Sequence, residues 1–104
     1  MTKSAILENV SFNAEGYMSN PDEWNKEVAE ALAGEEGILK LTPAHWKVLE
    51  FCRESAKETG MSPMLRVITH GTGMSPKEVF DLFPKSPSKK VARIAGLNKP
   101  PECI

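Results

Sequence analysis

Dipeptides that pair a hydroxyl residue with proline recur along this chain, and each is a start signal for a helix. The hydroxyl accepts a hydrogen bond from an unpaired amide of the first turn, and proline suits the first helical position because the amide it lacks would have no partner there. The dipeptides are Thr42-Pro43, Ser62-Pro63, Ser75-Pro76 and Ser86-Pro87, and Asn20-Pro21 gives the same signal with a side-chain amide. Together they predict five short helices.

Glycine and proline also mark where these helices end. We expect the first helix to run from Pro21 to near Gly34 or Gly37, and the others to span about 43–59, 63–70, 76–83 and 87–95. Apolar residues recur at helical spacing within these segments, which predicts buried faces. A length of 104 residues fits a single domain.

The N-terminal segment has a different pattern. Residues 5–12 favour strands and residues 13–16 resemble a turn, which predicts a small hairpin. The predicted fold class is therefore mainly α, a small helical bundle with an N-terminal β-hairpin and a flexible C-terminal arm. We expect a helical domain over residues 1–95 and a mobile arm over residues 96–104.

The last nine residues do not continue the helical pattern. Pro100 and Pro101 exclude a helix and favour an extended polyproline II segment. Cys103 is one residue from the end, and the exposure expected there is what a reacting sulfur needs. From spacing alone, an incidental terminal cysteine explains the pattern as well as a functional one does.

Charge is distributed unevenly, although the net charge is only −1. Residues 1–40 carry three lysines and eight acidic residues, a balance of −5, whereas residues 84–104 carry five basic residues and one acidic residue, a balance of +4. A basic end on an acidic body favours either an anionic partner surface or docking of that end onto the chain itself. Two ordinary solvated faces explain the pattern equally well.

Conventional catalytic and metal-binding patterns are missing from the sequence. It has no glycine-rich phosphate loop, no CxxC pair and no His/Cys/Asp cluster at ligand spacing, so we expect no cofactor and no metal. His45 fits packing or capping in the first turn of a helix, and His70 fits the negative end of a helix dipole. Cys52 lies on the apolar face of the second helix, where a cysteine commonly acts as a small buried hydrophobe.

Neither a membrane protein nor a secreted disulfide scaffold is indicated. No apolar run approaches the roughly 20 residues of a membrane span, and no signal segment opens the chain. Two cysteines are too few for a disulfide framework. We expect a cytoplasmic protein with free thiols.

Several short motifs stand in order along nearly the whole chain. Those near the C-terminus are Leu82–Pro87, Arg93–Leu97, Lys99-Pro100 and the penultimate Cys103; those upstream include Glu15-Gly16-Tyr17, Trp24, Leu41-Thr42, His45–Val48, Phe51, Arg53, and Ser62-Pro63 followed by Arg66. Together they resemble the TusE/DsrC sulfur-relay family. Its members are small helical proteins with a β-hairpin and a flexible C-terminal arm.

The resemblance implies a sulfur carrier in which Cys103 accepts sulfane sulfur as a persulfide and passes it to an acceptor enzyme. The residues expected to form the arm or dock it on a partner are Arg93, Gly96, Lys99, Pro100 and Pro101. The prolines would stiffen the arm, and Gly96 would let it swing relative to the last helix. Such a protein is a sulfurtransferase-type co-substrate rather than a stand-alone enzyme.

One departure from the family pattern indicates a branch. DsrC proteins that serve dissimilatory sulfite reductase carry a second cysteine eleven residues before the penultimate one, and Ala92 stands there in this chain. The resemblance therefore implies the single-cysteine, TusE-like branch, with a TusBCD/DsrEFH-type complex as donor and the enzyme that 2-thiolates the tRNA wobble uridine as acceptor. The alternative is a DsrC-like partner or regulatory subunit of a sulfite reductase system. Asn98 also departs, since the family usually has proline there.

A DNA-binding regulator is a further alternative. Helices near 63–70 and 76–83, joined by a glycine-containing segment, fit a helix-turn-helix. A sequence pI of about 6.1 and the two acidic residues of segment 77–83 disfavour contact with phosphates. Direct nucleic-acid binding is therefore not expected.

Overall fold

The computed structural model describes residues 7, 8, 10–38 and 40–98. Within these residues the chain forms one turn of 3₁₀-helix, Pro21–Glu23, and five α-helices: α1 (Lys26–Glu35), α2 (Pro43–Thr59), α3 (Leu65–Thr72), α4 (Pro76–Leu82) and α5 (Pro87–Ile94). The predicted mainly helical fold is confirmed. None of these helices is long and apolar enough to cross a membrane.

The last helix packs against the first two. α5 contacts α1, α2 and α4, while α3 lies between α2 and α4. Val91 and Ile94 on the inner side of α5 are at most 1 % exposed, and burial of such a side chain stabilises the fold by about 1.5–3 kcal/mol. The largest fully buried side chains of the described residues are Phe83, Met18, Leu32, Leu49, Ile68 and Ile94.

Two of the predicted start signals cap their helices as expected. Ser75 accepts a hydrogen bond from the amide of Glu78 at 3.1 Å, and the Glu78 carboxylate accepts one from the Ser75 amide at 2.8 Å, which completes a capping box. Thr42 caps α2 in the same way, but there the ring of His45 replaces the glutamate. Its Nδ1 accepts from the Thr42 amide at 3.0 Å, so Nε2 carries the proton and donates to the Leu82 carbonyl at 2.9 Å. The capping role predicted for His45 is confirmed.

The predicted N-terminal β-hairpin is wrong for the residues that the structure describes. Residues 10–19 contain no strand and form a loop closed by a single antiparallel bridge between Phe12 and Met18. The side-chain oxygen of Asn13 accepts hydrogen bonds from two backbone amides of the turn, including that of Tyr17 at 3.1 Å. Backbone pairing is limited to two hydrogen bonds, from the Asn13 amide to Tyr17 O at 2.8 Å and from the Ser19 amide to Ser11 O at 2.9 Å, which is too little to form strands.

The first α-helix begins later than predicted. Pro21 belongs to the separate 3₁₀ turn, and α1 begins after Asn25, whose side chain accepts from the amide of Val28 at 2.9 Å. The interruption leaves Trp24 outside both helical segments. From this position the indole of Trp24 reaches the end of α5.

The third helix also begins two residues late. Its first residue follows Met64, which provides no side-chain cap. The expected capping residue, Ser62, instead donates its hydroxyl to the carbonyl of Asn98. A tertiary contact has therefore replaced the local one that the Ser-Pro dipeptide predicts.

Capping predicts different effects for two serines that both precede a proline at a helix start. Ser86 makes no side-chain capping hydrogen bond, in contrast to Ser75. Ser75→Ala is expected to lower the free energy of unfolding by about 1 kcal/mol. Ser86→Ala is the matched control and is expected to lower it by less than about 0.5 kcal/mol. Urea denaturation followed by circular dichroism measures both values, and equal losses would contradict the capping assignment.

Candidate functional site

Helix α5 ends in a tight turn at Gly96. The Gly96 amide donates to the carbonyl of Arg93 at 3.2 Å, and the Leu97 amide donates to that of Ala92 at 2.8 Å, which is a Schellman motif. Gly96 is buried and has a φ of +74°. A Cβ at this position would lie only 2.7 Å from Cδ1 of Trp24. Both the backbone conformation and the close approach of the indole therefore require glycine.

Two side chains from other elements bind the carbonyl groups that this turn leaves free. Trp24 Nε1 donates to Ile94 O at 2.8 Å, and Arg53 Nη1 donates to Ala95 O at 2.7 Å. The guanidinium carbon of Arg53 also lies 4.2 Å from the ring centre of Trp24, so each side chain holds the other in place. Partial burial lowers the pKa of Arg53, and the Asp22 carboxylate opposes that shift. Arginine nevertheless remains charged, so it is a strong donor to the Ala95 carbonyl.

A third contact holds the chain beyond the turn. Ser62 Oγ donates to the carbonyl of Asn98, and Leu97 between the two contacts is 6 % exposed. We call Trp24, Arg53 and Ser62 the exit clamp, because they bind the main chain at Ile94, Ala95 and Asn98, in the last segment that the structure describes. The clamp keeps the chain hydrogen-bonded to the bundle as far as Asn98.

Arg93 joins the end of α5 to two other parts of the fold. Its Nε donates to Gly16 O at 2.9 Å, and its Nη1 and Nη2 atoms pair with the carboxylates of Glu36 at 2.8 Å and Glu35 at 2.7 Å. Lys90 Nζ donates to the Glu36 carbonyl at 3.2 Å. Arg93 thus neutralises two acids at the C-terminal end of α1, and Lys90 binds a carbonyl there, where cations also complement the helix dipole. The positive charges of Lys90 and Arg93 are therefore bound to the chain's own acidic segment.

The structure describes two of the six residues predicted for the site. Arg93 and Gly96 both lie at the end of α5, in contact with other parts of the fold. The residues outside the described part of the chain are Lys99, Pro100, Pro101 and Cys103. The hinge expected at Gly96 is not supported, because this residue is packed against Trp24 and the chain stays bound as far as Asn98.

The other candidates from the sequence have structural surroundings. Cys52 is fully buried on α2, and this burial raises the pKa of its thiol to about 12, as expected of a structural cysteine. His70 is exposed in the last turn of α3. Ala92 is 1 % exposed on the inner side of α5. The described part of the chain brings no three His, Cys, Asp or Glu side chains together as a metal site.

The sequence alone does not reveal the exit clamp. Trp24 and Ser62 have local explanations, as a core residue and a helix cap, and neither explanation points to a partner 70 or 36 residues away. Arg53 carries the one usable signal, since it is a charged residue directly after the buried Cys52. Such a residue often has a specific buried partner, but the sequence does not show that this partner is a carbonyl of α5.

Comparison with known protein families decides what kind of chain this is. The family described as DsrC like protein matches residues 6–104, a range that includes the exit clamp and the C-terminal segment with Cys103. The chain belongs to this family. The predicted resemblance is therefore confirmed over nearly the whole length.

Relatives of this DsrC-like chain carry two kinds of name. The gamma subunit of dissimilatory-type sulfite reductase from Nitratidesulfovibrio vulgaris is 37 % identical over 90 residues, which cover 86 % of each protein. The sulfurtransferase TusE from Photorhabdus laumondii is 37 % identical over 102 residues, which cover 91 % of each. The NMR structure of Allochromatium vinosum DsrC matches the fold with a TM-score of 0.79 and 35 % identity, covering 91 % of this chain and 90 % of that one.

The turn at the end of α5 predicts unequal effects for two glycine substitutions. Gly37 also has a positive φ, +86°, but a Cβ there would meet no atom within 4 Å. Gly37→Ala is therefore expected to lower the free energy of unfolding by about 1 kcal/mol, from backbone strain alone. Gly96→Ala adds overlap with Trp24 and is expected to lower it by about 2–4 kcal/mol. Equal losses in urea denaturation would show that Gly96 is not closely packed.

Burial of Cys52 predicts that this thiol resists alkylation in the native protein. With a pKa of about 12, the thiol is ionised in about one molecule in 10,000 at pH 8, and only the thiolate reacts. Iodoacetamide at pH 8 is expected to leave Cys52 unmodified until concentrated guanidinium chloride unfolds the protein. Peptide mass spectrometry measures the modification, and fast reaction of native Cys52 would contradict its burial.

Proposed function

We propose that this DsrC-like protein is a sulfur carrier that accepts sulfane sulfur as a persulfide on Cys103 and passes it to an acceptor enzyme. The observation that carries the proposal is the family match, which runs to residue 104 and so includes the penultimate cysteine. The relatives named TusE and sulfite reductase gamma subunit both belong to sulfur metabolism by name. Cys52 is unsuited to the role, because it is buried and protonated.

The proposed transfer is a redox-neutral exchange between a thiolate and a persulfide. The Cys103 thiolate attacks the outer sulfur of the donor persulfide. The donor S–S bond breaks, a new S–S bond forms on Cys103, and the donor cysteine leaves as a thiolate. In unloading, an acceptor thiolate attacks the outer sulfur held on Cys103, and Cys103 leaves as a thiolate. One sulfur atom moves in each step, and neither step needs an oxidant or a reductant.

In this proposal the arm consists of residues 99–104, so it begins after the exit clamp rather than at Gly96. The run Lys99–Pro101 stiffens its base, which lowers the entropy cost of inserting the thiol into a partner's cleft. Arg93 and Gly96 act from inside the fold, since they fix the turn from which the arm starts.

We place the carrier in 2-thiolation of the tRNA wobble uridine, with a TusBCD-type complex as donor and the tRNA-thiolating enzyme as acceptor. The single-cysteine pattern supports this assignment. Ala92 stands where two-cysteine DsrC proteins have their second cysteine, so the arm has no partner there for an intramolecular disulfide. A cytoplasmic location fits this pathway, because tRNA is modified in that compartment.

The alternative is a partner or regulatory subunit of dissimilatory sulfite reductase, loaded by a DsrEFH-type complex. It is favoured by the 37 % identity with a gamma subunit of that enzyme and by the likeness to a DsrC structure. A DNA-binding regulator is disfavoured, since the exposed face of α4 pairs Lys77 with Asp81 at 3.4 Å and offers little net positive charge to phosphates.

Intact and peptide-level mass spectrometry tests whether the protein carries sulfur on Cys103. After incubation with glutathione persulfide, the unsubstituted protein is expected to gain one sulfur atom that maps to Cys103, because a persulfide forms on that thiol. Cys103→Ser is expected to abolish the gain, and Cys52→Ser, the matched control, to retain it. A gain that survives in Cys103→Ser, or no gain in the unsubstituted protein, would overturn the proposal.

The two proposed pathways differ in the enzyme that accepts the sulfur, so a second experiment compares the two acceptors. The loaded protein is mixed either with the tRNA-thiolating enzyme, its tRNA and ATP or with dissimilatory sulfite reductase and an added electron acceptor, since sulfane sulfur must be oxidised to become sulfite. The sulfur that remains on Cys103 is measured over time. Faster loss to the tRNA enzyme supports the first assignment. Faster loss to sulfite reductase supports the second.

A further inference from the structure

The surface beside Leu97 and Asn98 is recessed. One cavity of about 180 Å³ is lined by the 60–62 loop together with Leu97 and Asn98. A second cavity of about 160 Å³ is lined by Arg53 and Lys57 and shares Leu97 with the first. We define the surface around these two cavities as the exit face, which consists of Ala56, Lys57, Gly60, Met61, Leu97 and Asn98.

Met61 is the exposed apolar side chain of this face. It is 55 % exposed, which places it among only three large hydrophobic residues that are exposed in the described part of the chain. Its backbone is held in place, because Gly60 ends α2 with a φ of +78° and the Met61 amide donates to Thr59 Oγ1 at 3.2 Å. A fixed loop therefore presents an unbranched thioether side chain, which adapts readily to the surface of a partner.

The length of the proposed arm limits how far a partner can be from this face. Cys103 is the fifth residue after Asn98, where the exit clamp ends, so five Cα–Cα steps join the two residues. Even fully extended, they span only about 17 Å between the two Cα atoms. A protein whose cysteine exchanges sulfur with Cys103 must therefore bring its cleft to within about 17 Å of Asn98. Any cleft that encloses most of the arm brings its rim against the exit face.

We propose that the exit face is the surface on which the sulfur-exchanging partner docks, and that Met61 enters an apolar recess at the rim of the partner's cleft. The proposal rests on the proposed function, since it takes Cys103 as the exchanging thiol. The partner it fits is a protein with a reactive cysteine at the end of a narrow cleft. The two cavities beside Leu97 receive side chains from the same rim.

Substitutions at Met61 test the proposed contact. Met61→Asp places an unpaired charge in the apolar contact, and Met61→Ala only shortens the side chain. The matched control is Val67→Asp, because Val67 is 40 % exposed on α3 and lines neither cavity. Thermal unfolding checks that the three variants remain folded. All are loaded with glutathione persulfide, and sulfur exchange is then measured with a TusBCD-type complex and with the tRNA-thiolating enzyme.

Met61→Asp is expected to lower kcat/KM for exchange with the protein partner at least tenfold, mainly through KM, with Met61→Ala intermediate. Loading by glutathione persulfide is expected to stay within twofold, because that small donor needs no docking surface, and Val67→Asp is expected to stay within twofold in both assays. If Met61→Asp and Val67→Asp exchange sulfur equally well with the partner, the exit face is not the docking surface, while the carrier function stands. If the unsubstituted protein takes no sulfur from glutathione persulfide, or exchanges with neither protein, the proposed function fails and the docking surface with it.

Discussion

The carbonyl groups at the end of α5 impose the constraint on which this site depends. The last carbonyls of a helix have no amide partner in their own helix, and buried ones must find donors elsewhere in the protein. Ile94 and Ala95 are fully buried, and Trp24 and Arg53 supply the donors. Trp24 lies in the interruption before α1, and from there its indole reaches Ile94 O.

Local signals in the sequence account for most of the helices. α2 spans the range that the sequence predicts. Its N-terminal cap and its proline at one end, and its terminal glycine at the other, each act on the turn of helix next to them. Ser62 shows where such signals stop being sufficient. Its dipeptide is of the same kind as that of Ser75, but its hydroxyl binds a carbonyl 36 residues away. Asn13 is a second case, since its side chain competes with the strand pairing that the flanking residues favour.

The candidate site divides in the same way. Cys103 and the family could be identified from sequence motifs, because those residues stand in order along the chain. The exit clamp could not, because its three members come from different elements and meet only in the folded protein. The two cysteines also illustrate how position assigns chemistry. Cys52 is enclosed by the core and kept protonated, which leaves the terminal thiol as the nucleophile of the proposed carrier.

The hydrogen bond between Ser62 and Asn98 also has a mechanical consequence. In the proposed carrier, a partner that draws the arm into a cleft would pull first on Asn98. The force would then pass through Ser62 to the 60–62 loop and through Arg53 to the 17-residue helix α2. These two hydrogen bonds would share the force before it reaches the eight-residue α5, which would otherwise unwind from its C-terminal end. In the proposed carrier these two hydrogen bonds would keep α5 folded while a partner binds the arm.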